Sequence, residues 1–216
     1  MTALYGVYGA GGCGRGIMPL LRDEIGGGDV RLVFIDDGTA DGAAINGHEA
    51  WRWDRFAAEP AGRKAACLAI ANSRVRAQLD RRCSEAGIDV IGARAGNAVV
   101  MDEVTFGPGA LLSPFVTLTS NISIGRCFHA NLYCYVEHDC VIGDYVTFAP
   151  GVQCNGNVHI GDHAYIGTGA MLRQGTPDKP LVIGAGAVVG MGAVVTRDVA
   201  PGVTVIGNPA RPMEKR

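Results

Sequence analysis

From Ala98 onward the apolar residues recur every six positions. Counted from Val100, every sixth residue is apolar: Val100, Phe106, Leu112, Leu118, Ile124, Ala130, Val136, Ile142, Phe148, Cys154, Ile160, Ile166 and Leu172. A second series, two residues earlier, is equally unbroken and mostly smaller: Ala98, Val104, Ala110, Val116, Ile122, Phe128, Cys134, Cys140, Val146, Val152, Val158, Ala164 and Ala170. Side chains two apart share one face of a strand, so each hexad reads as a short strand with two inward residues and then a corner. A period this short, sustained this long, describes a hexapeptide β-solenoid. Glycine often follows the larger inward residue, at Gly107, Gly125, Gly143, Gly161 and Gly167. There it is expected to supply the unusual dihedrals of a corner. The frame slips by five residues at Thr176–Pro180 and resumes at Ile183, Val189 and Val195, so this segment is expected to leave the coil as a loop. Ala200-Pro201-Gly202 begins the cap that a solenoid end needs, continuing through Gly207-Asn208-Pro209-Ala210-Arg211 to a basic tail.

Before residue 97 the pattern is different. Strands are predicted at Leu4–Tyr8, Arg31–Ile35, Ala65–Ala71 and Ile88–Ile91, with helices over Arg15–Glu24 and Arg74–Glu85. Alternating strands and helices argue for a small, mainly parallel, Rossmann-like sheet. The expected organisation is an α/β domain over residues 1–96 followed by a solenoid domain over residues 97–216. Ninety-odd residues are too few for both halves of a full dinucleotide-binding fold.

Composition narrows the function. Glycine supplies 32 of 216 residues, about twice the ordinary share of roughly 7 %. Aromatics are only 6 %, which fits a narrow aliphatic coil interior. With 19 basic against 21 acidic residues there is no global field to hold a nucleic acid. No run approaches the roughly 20 apolar residues that span a bilayer. The chain enters a strand at once, without a signal-peptide pattern. Seven cysteines, an odd number with no C-x-x-C pair, suit a reduced cytoplasmic protein better than a disulfide scaffold or a zinc site. His159 and His163, four apart, would pair as ligands on a helix but not on a solenoid, so no metal is expected.

Two segments carry candidate chemistry. Gly9-Ala10-Gly11-Gly12-Cys13-Gly14 follows a strand and precedes a helix, the arrangement that cradles phosphate, and Asp36 closes the second strand as a ribose-binding acid does. Taken alone this pattern points toward NAD, although the brevity of the domain argues against it. His138 stands at a solenoid corner between Glu137 and Asp139; a histidine titrates where a general base must, and flanking acids orient and stabilise it. Gly156 follows His138 by 18 residues, three hexads, and is expected to stack beside it with an approachable N–H.

Hexads such as Ile142–Thr147, the Glu-His-Asp segment and the terminal Gly-Asn-Pro-Ala resemble bacterial nucleotide-sugar N-acetyltransferases of the hexapeptide-repeat, left-handed β-helix family. These include perosamine and bacillosamine-pathway enzymes, with sialic acid O-acetyltransferases as relatives. The resemblance covers essentially the whole chain. It implies a homotrimer with active sites between neighbouring subunits, acetyl-CoA as co-substrate, and a nucleotide-linked 4-amino-4,6-dideoxysugar as acceptor, GDP-perosamine first and a UDP-linked bacillosamine precursor second. O-acetylation of a free sugar and a non-catalytic, nucleotide-binding trimeric scaffold are the rivals. By resemblance His138 is the base, Asp139 its supporting carboxylate and Gly156 the acetyl-binding glycine. Gly11, Gly12, Cys13, Gly14, Asp36, Asp37, Asn72 and Asn131 fall on the substrate side. Thr147, Gly156, Thr168, Lys179 and Met191 fall on the cofactor side. Cys13 reads better as a small tight-turn residue than as a substrate contact, Arg74 and Arg76 equally as a solvated helix face, and Thr176–Pro180 as either a cover for CoA or a passive loop.

Overall fold

The computed structural model describes residues 2–213. The chain divides into two compact units, the first running to Arg94 and the second starting at Ala95.

In the first unit β1 (Ala3–Tyr8), α1 (Gly12–Ile25), β2 (Val30–Ile35), β3 (Ala43–Ile45), β4 (His48–Trp51), α2 (Trp53–Ala58), β5 (Arg63–Leu68), α3 (Ser73–Glu85) and β6 (Asp89–Val90) follow in order. The sheet order is β3-β4-β2-β1-β5-β6. All neighbours are parallel except the β3–β4 hairpin. α1 buries Gly14, Ile17, Met18 and Leu21, the stripe of a helix packed on a sheet. It begins three residues before the predicted Arg15, because glycine can enter the helix directly from the loop. The hairpin and α2 are absent from the sequence reading, although Asn46-Gly47 carries a hairpin signature: both residues have positive φ, 49° and 82°. β5 ends at Leu68 rather than Ala71. The buried Arg76 guanidinium takes the carbonyls of Ile70 (2.7 Å) and Ala71 (3.3 Å), so these residues leave the ladder. Arg76 is therefore no solvated helix residue; it is fully buried.

The second unit is the left-handed parallel β-helix, with three stacked sheets as its faces. Strands repeat every 18 residues: Leu118 pairs with Val100 below and Val136 above. From Leu112 onward both six-residue series are buried. The first coil departs from the pattern, with Phe106 38 % exposed and Val104 half-buried, because an end strand is covered from one side only. Beyond Leu172 the register widens to 23, Val158 facing Leu181, as a five-residue excursion requires. Thr176 and Lys179 close that excursion with paired backbone bonds of 3.0 Å. In the cap, Arg211–Pro212 turns antiparallel to Thr204–Ile206. The basic tail lies outside the described residues.

The corners correct one expectation. Gly107, Gly125 and Gly143 do not have positive φ. They are small because a Cβ would enter the backbone of the next coil; at Gly107 it would come 2.6 Å from the Arg126 nitrogen. The left-handed residue stands two positions further on and recurs every six, at 103, 109, 115 and so through 169. Most of these are not glycine. Such a conformation costs on the order of 1 kcal/mol or more in a non-glycine residue. Stacking between coils offsets it, with Phe115 on Tyr133 at 4.8 Å and Tyr145 on His163 at 5.0 Å.

Candidate active site

Each coil turns three corners, and His138 occupies the one between strands Tyr135–Val136 and Val141–Ile142. It precedes a left-handed residue, Asp139, whose φ of 59° turns its carboxylate back beside the ring. Asp139 Oδ2 lies 2.7 Å from His138 Nδ1. Asn121, one coil below, donates to the other carboxylate oxygen at 3.4 Å. With Nδ1–H directed at Asp139, Nε2 is the atom free to accept a proton. The hydrogen bond to Asp139 is the largest influence on His138, and its pKa is raised above the ordinary value; burial opposes the rise, and the charges of Asp139 and Glu137 add to it. Glu137 thus acts only through its charge.

Gly156 lies directly over this ring. A Cβ at Gly156 would sit 2.6 Å from His138 Cε1 and 2.7 Å from Nε2, so no side chain fits. The coils are tied here by Asn157 N–H donating to the His138 carbonyl at 2.9 Å. At this register the residue's own N–H leaves the ladder: Pro108, Pro114 and Pro150 occupy the same hexad place without one. At Arg126 and Asp144 the N–H is taken by the carboxylates of Asp144 and Asp162, each at 2.8 Å. Among the described residues no acceptor takes the Gly156 N–H. The excursion rises from the same corner, with Gly175 N–H on the Gly156 carbonyl (3.0 Å) and Leu181 N–H on that of Asn157 (3.1 Å). Lys179 stands exposed at its tip.

The other solenoid residues do not converge on His138 within one chain. Thr168 and Met191 stack at a different corner, the one between Tyr165–Ile166 and Met171–Leu172, where Gly192 N–H donates to the Thr168 carbonyl at 2.8 Å. Thr147 is only 4 % exposed, in register between His129 and Tyr165. Asn131 spends its amide N–H on the Phe148 carbonyl at 2.7 Å.

In the first unit, the glycine-rich loop leaves α1 with no side-chain cap at Gly11, and side chains at Gly11 and Gly12 would meet open space. An uncapped helix N-terminus with room in front suits a phosphate. Asp36 is used by the loop itself: its two oxygens accept from Ala10 N–H (2.8 Å) and Gly38 N–H (2.9 Å). Gly14 is demanded by packing, since a Cβ would run into the Gly9 carbonyl. Cys13 lies in the first turn of α1, half-buried, and burial raises its thiol pKa. Asn72 caps α3, its Oδ1 accepting from Arg74 N–H (3.0 Å) and Val75 N–H (3.1 Å).

Asp37 anchors a cluster missed in the sequence. It accepts from Trp53 N–H (2.9 Å), Arg82 (3.0 Å) and the Tyr8 hydroxyl (3.2 Å), while Arg82 lies 4.6 Å over the Trp53 ring. Burial opposes ionisation of Asp37, but these donors together hold its carboxyl below the usual range. Tyr8, Trp53 and Arg82 come from three separate elements, and only tertiary structure joins them. Among the described residues no cluster of three or more His, Cys, Asp or Glu is placed to hold a metal.

No family model matches the chain. It is 50 % identical over 215 residues to GDP-perosamine N-acetyltransferase of Escherichia coli O157:H7, covering 98 % of this chain and 97 % of that one. It is similar to the structure of WeeI from Acinetobacter baumannii AYE, with 55 % identity, a TM-score of 0.95 and coverage of 98 % and 100 %. It is also similar, at 26 % identity, a TM-score of 0.89 and coverage of 98 % and 97 %, to perosamine N-acetyltransferase from Caulobacter crescentus. That structure is a histidine-to-asparagine mutant in complex with CoA and GDP-perosamine. The chain belongs to the hexapeptide-repeat acetyltransferase family.

Proposed function

We propose that the protein transfers the acetyl group of acetyl-CoA to the 4-amino group of GDP-perosamine, for O-antigen or related glycan synthesis. The observation that carries this reading is the 50 % identity, across nearly the full length of both chains, to an enzyme named for that activity. The corner supplies matching chemistry. His138 Nε2 takes a proton from the sugar amine as its nitrogen attacks the thioester carbonyl, and Asp139 steadies the imidazolium. The Gly156 N–H stabilises the tetrahedral oxyanion. Collapse breaks the C–S bond, and the departing thiolate recovers the proton from His138, leaving CoA and the amide.

In this reading the N-terminal domain, residues 1–96, holds the nucleotide, with phosphate at Gly11–Gly14. The assembly is a homotrimer: Thr168 and Met191 sit at a different corner from His138, so a neighbouring subunit is needed to bring CoA to the base. Phe115, Leu132, Tyr133 and Met191, 51 %, 42 %, 64 % and 82 % exposed, give that corner an apolar surface for a second copy. No helix among the described residues is long and apolar enough to cross a membrane, and all seven cysteines are free, which suits a cytoplasmic site. The test is thiol release from acetyl-CoA with GDP-perosamine, a UDP-linked 4-amino sugar and a free sugar as acceptors. Turnover confined to GDP-perosamine is expected; preference for either other acceptor overturns the assignment.

The pH profile probes the base. Because the His138 pKa is raised, kcat/KM should climb with pH through a value above the ordinary 6.5 or so. Asp139→Asn keeps a residue tolerant of positive φ but removes the charge. It should move that limb to lower pH and cut kcat about tenfold. An unmoved limb would show that Asp139 does not set the proton affinity.

A further inference from the structure

Two buried thiols lie beneath the His138 corner and have no part in the chemistry above. Cys140 is 1 % exposed and Cys154 fully buried. Both direct Sγ at one acceptor, the Asn155 carbonyl, at 3.3 Å from Cys140 and 3.7 Å from Cys154. Cys140 also reaches the His138 carbonyl at 3.7 Å, and the Val158 N–H bonds to its sulfur. The thiol thus spans the turn that carries Gly156, touching it at both ends.

The consequence follows from peptide geometry. In a planar trans peptide the C=O and the next N–H point in opposite directions. The Asn155 carbonyl is drawn inward to the thiols, so the Gly156 N–H must face outward, on the side where His138 lies. We propose that Cys140, assisted by Cys154, is a positioning residue that aims the Gly156 N–H at the developing oxyanion. This inference rests on the catalytic reading of His138 and Gly156.

A second corner provides the control. Cys134 donates to the Ala149 carbonyl at 3.1 Å, the same contact at a corner where the next residue is Pro150 and has no N–H to aim. Removing Cys134 takes the thiol donor from the Ala149 carbonyl, and removing Cys140 leaves the Asn155 carbonyl only the longer 3.7 Å contact from Cys154, so either change should lower stability. Only removal of Cys140 should affect turnover.

The experiment compares Cys140→Ala, Cys140→Ser and Cys134→Ala for melting temperature, kcat and both KM values. Cys140→Ala is expected to lower kcat about tenfold, a partial misalignment, with both KM values held. Cys140→Ser restores a donor and should recover most of that loss, while Cys134→Ala melts earlier with wild-type kcat. Cys140→Ala with wild-type kcat overturns the proposal, as does a kcat loss equal in Cys134→Ala or no recovery in the serine variant. If Cys140→Ala does not fold, the serine variant and the Cys134→Ala control decide: the proposal requires near-wild-type kcat from both. Retained turnover in His138→Asn would instead remove the catalytic reading itself, so the two failures are distinct.

Discussion

Replacing His138 with asparagine is expected to lower kcat roughly 10²–10⁴-fold, the usual contribution of a positioned general base. Binding of CoA and of the nucleotide sugar should be unchanged. The site is built to survive the exchange. The bond that ties His138 to the next coil uses its carbonyl, not its ring. The ring itself is half-exposed, with a side-chain accessibility of 45 %, so little packing is lost. Steady-state kinetics beside calorimetric binding of CoA would separate the outcomes. Near-wild-type kcat would remove His138 from the chemistry, and lost binding would make it a recognition residue instead.

Gly156→Ala should be nearly as damaging, for a different reason. The backbone at Gly156 does not have positive φ, so alanine can adopt the conformation without strain. The obstruction is the imidazole: the new Cβ would lie 2.6, 2.7 and 3.0 Å from Cε1, Nε2 and Nδ1. One of the two must give way, and the half-exposed ring moves more easily than the coil. It would swing toward solvent, strain its 2.7 Å contact with Asp139 and shift Nε2 from its place. A loss of about 10²-fold in kcat is expected, with the melting temperature lowered by only a few degrees. Because both changes act through one ring, Gly156→Ala placed in the His138→Asn protein should add little. Additive losses would show that the glycine acts independently of the histidine.

The solenoid was legible because its constraint is local and repeated. Two inward residues in six must be apolar, and from Leu112 to Leu172 they are. Stacking of Gly156 on His138 followed from the same arithmetic, since 18 residues make one turn. The glycines were harder to read. A small residue can mark either a left-handed dihedral or a close approach, and Gly107 and Gly143 are of the second kind. In the N-terminal unit, Asn46-Gly47 carried a readable turn signal. The Tyr8–Asp37–Trp53–Arg82 cluster did not, because its members are joined only when β1, β2, α2 and α3 pack. The same holds for Asn72 and Asp36, whose polar atoms serve the fold before any ligand.

The five-residue excursion at Thr176–Pro180 shows how such a scaffold separates two properties that most folds entangle. Strands below and above it pair as though it were absent, Val158 with Leu181 and Ile160 with Ile183. Its length is invisible to the ladder. Residues can be added or removed there while the imidazole and the glycine beneath keep their spacing to within one coil step. The excursion is free to vary in size and charge, and the stack of Gly156 on His138 is not.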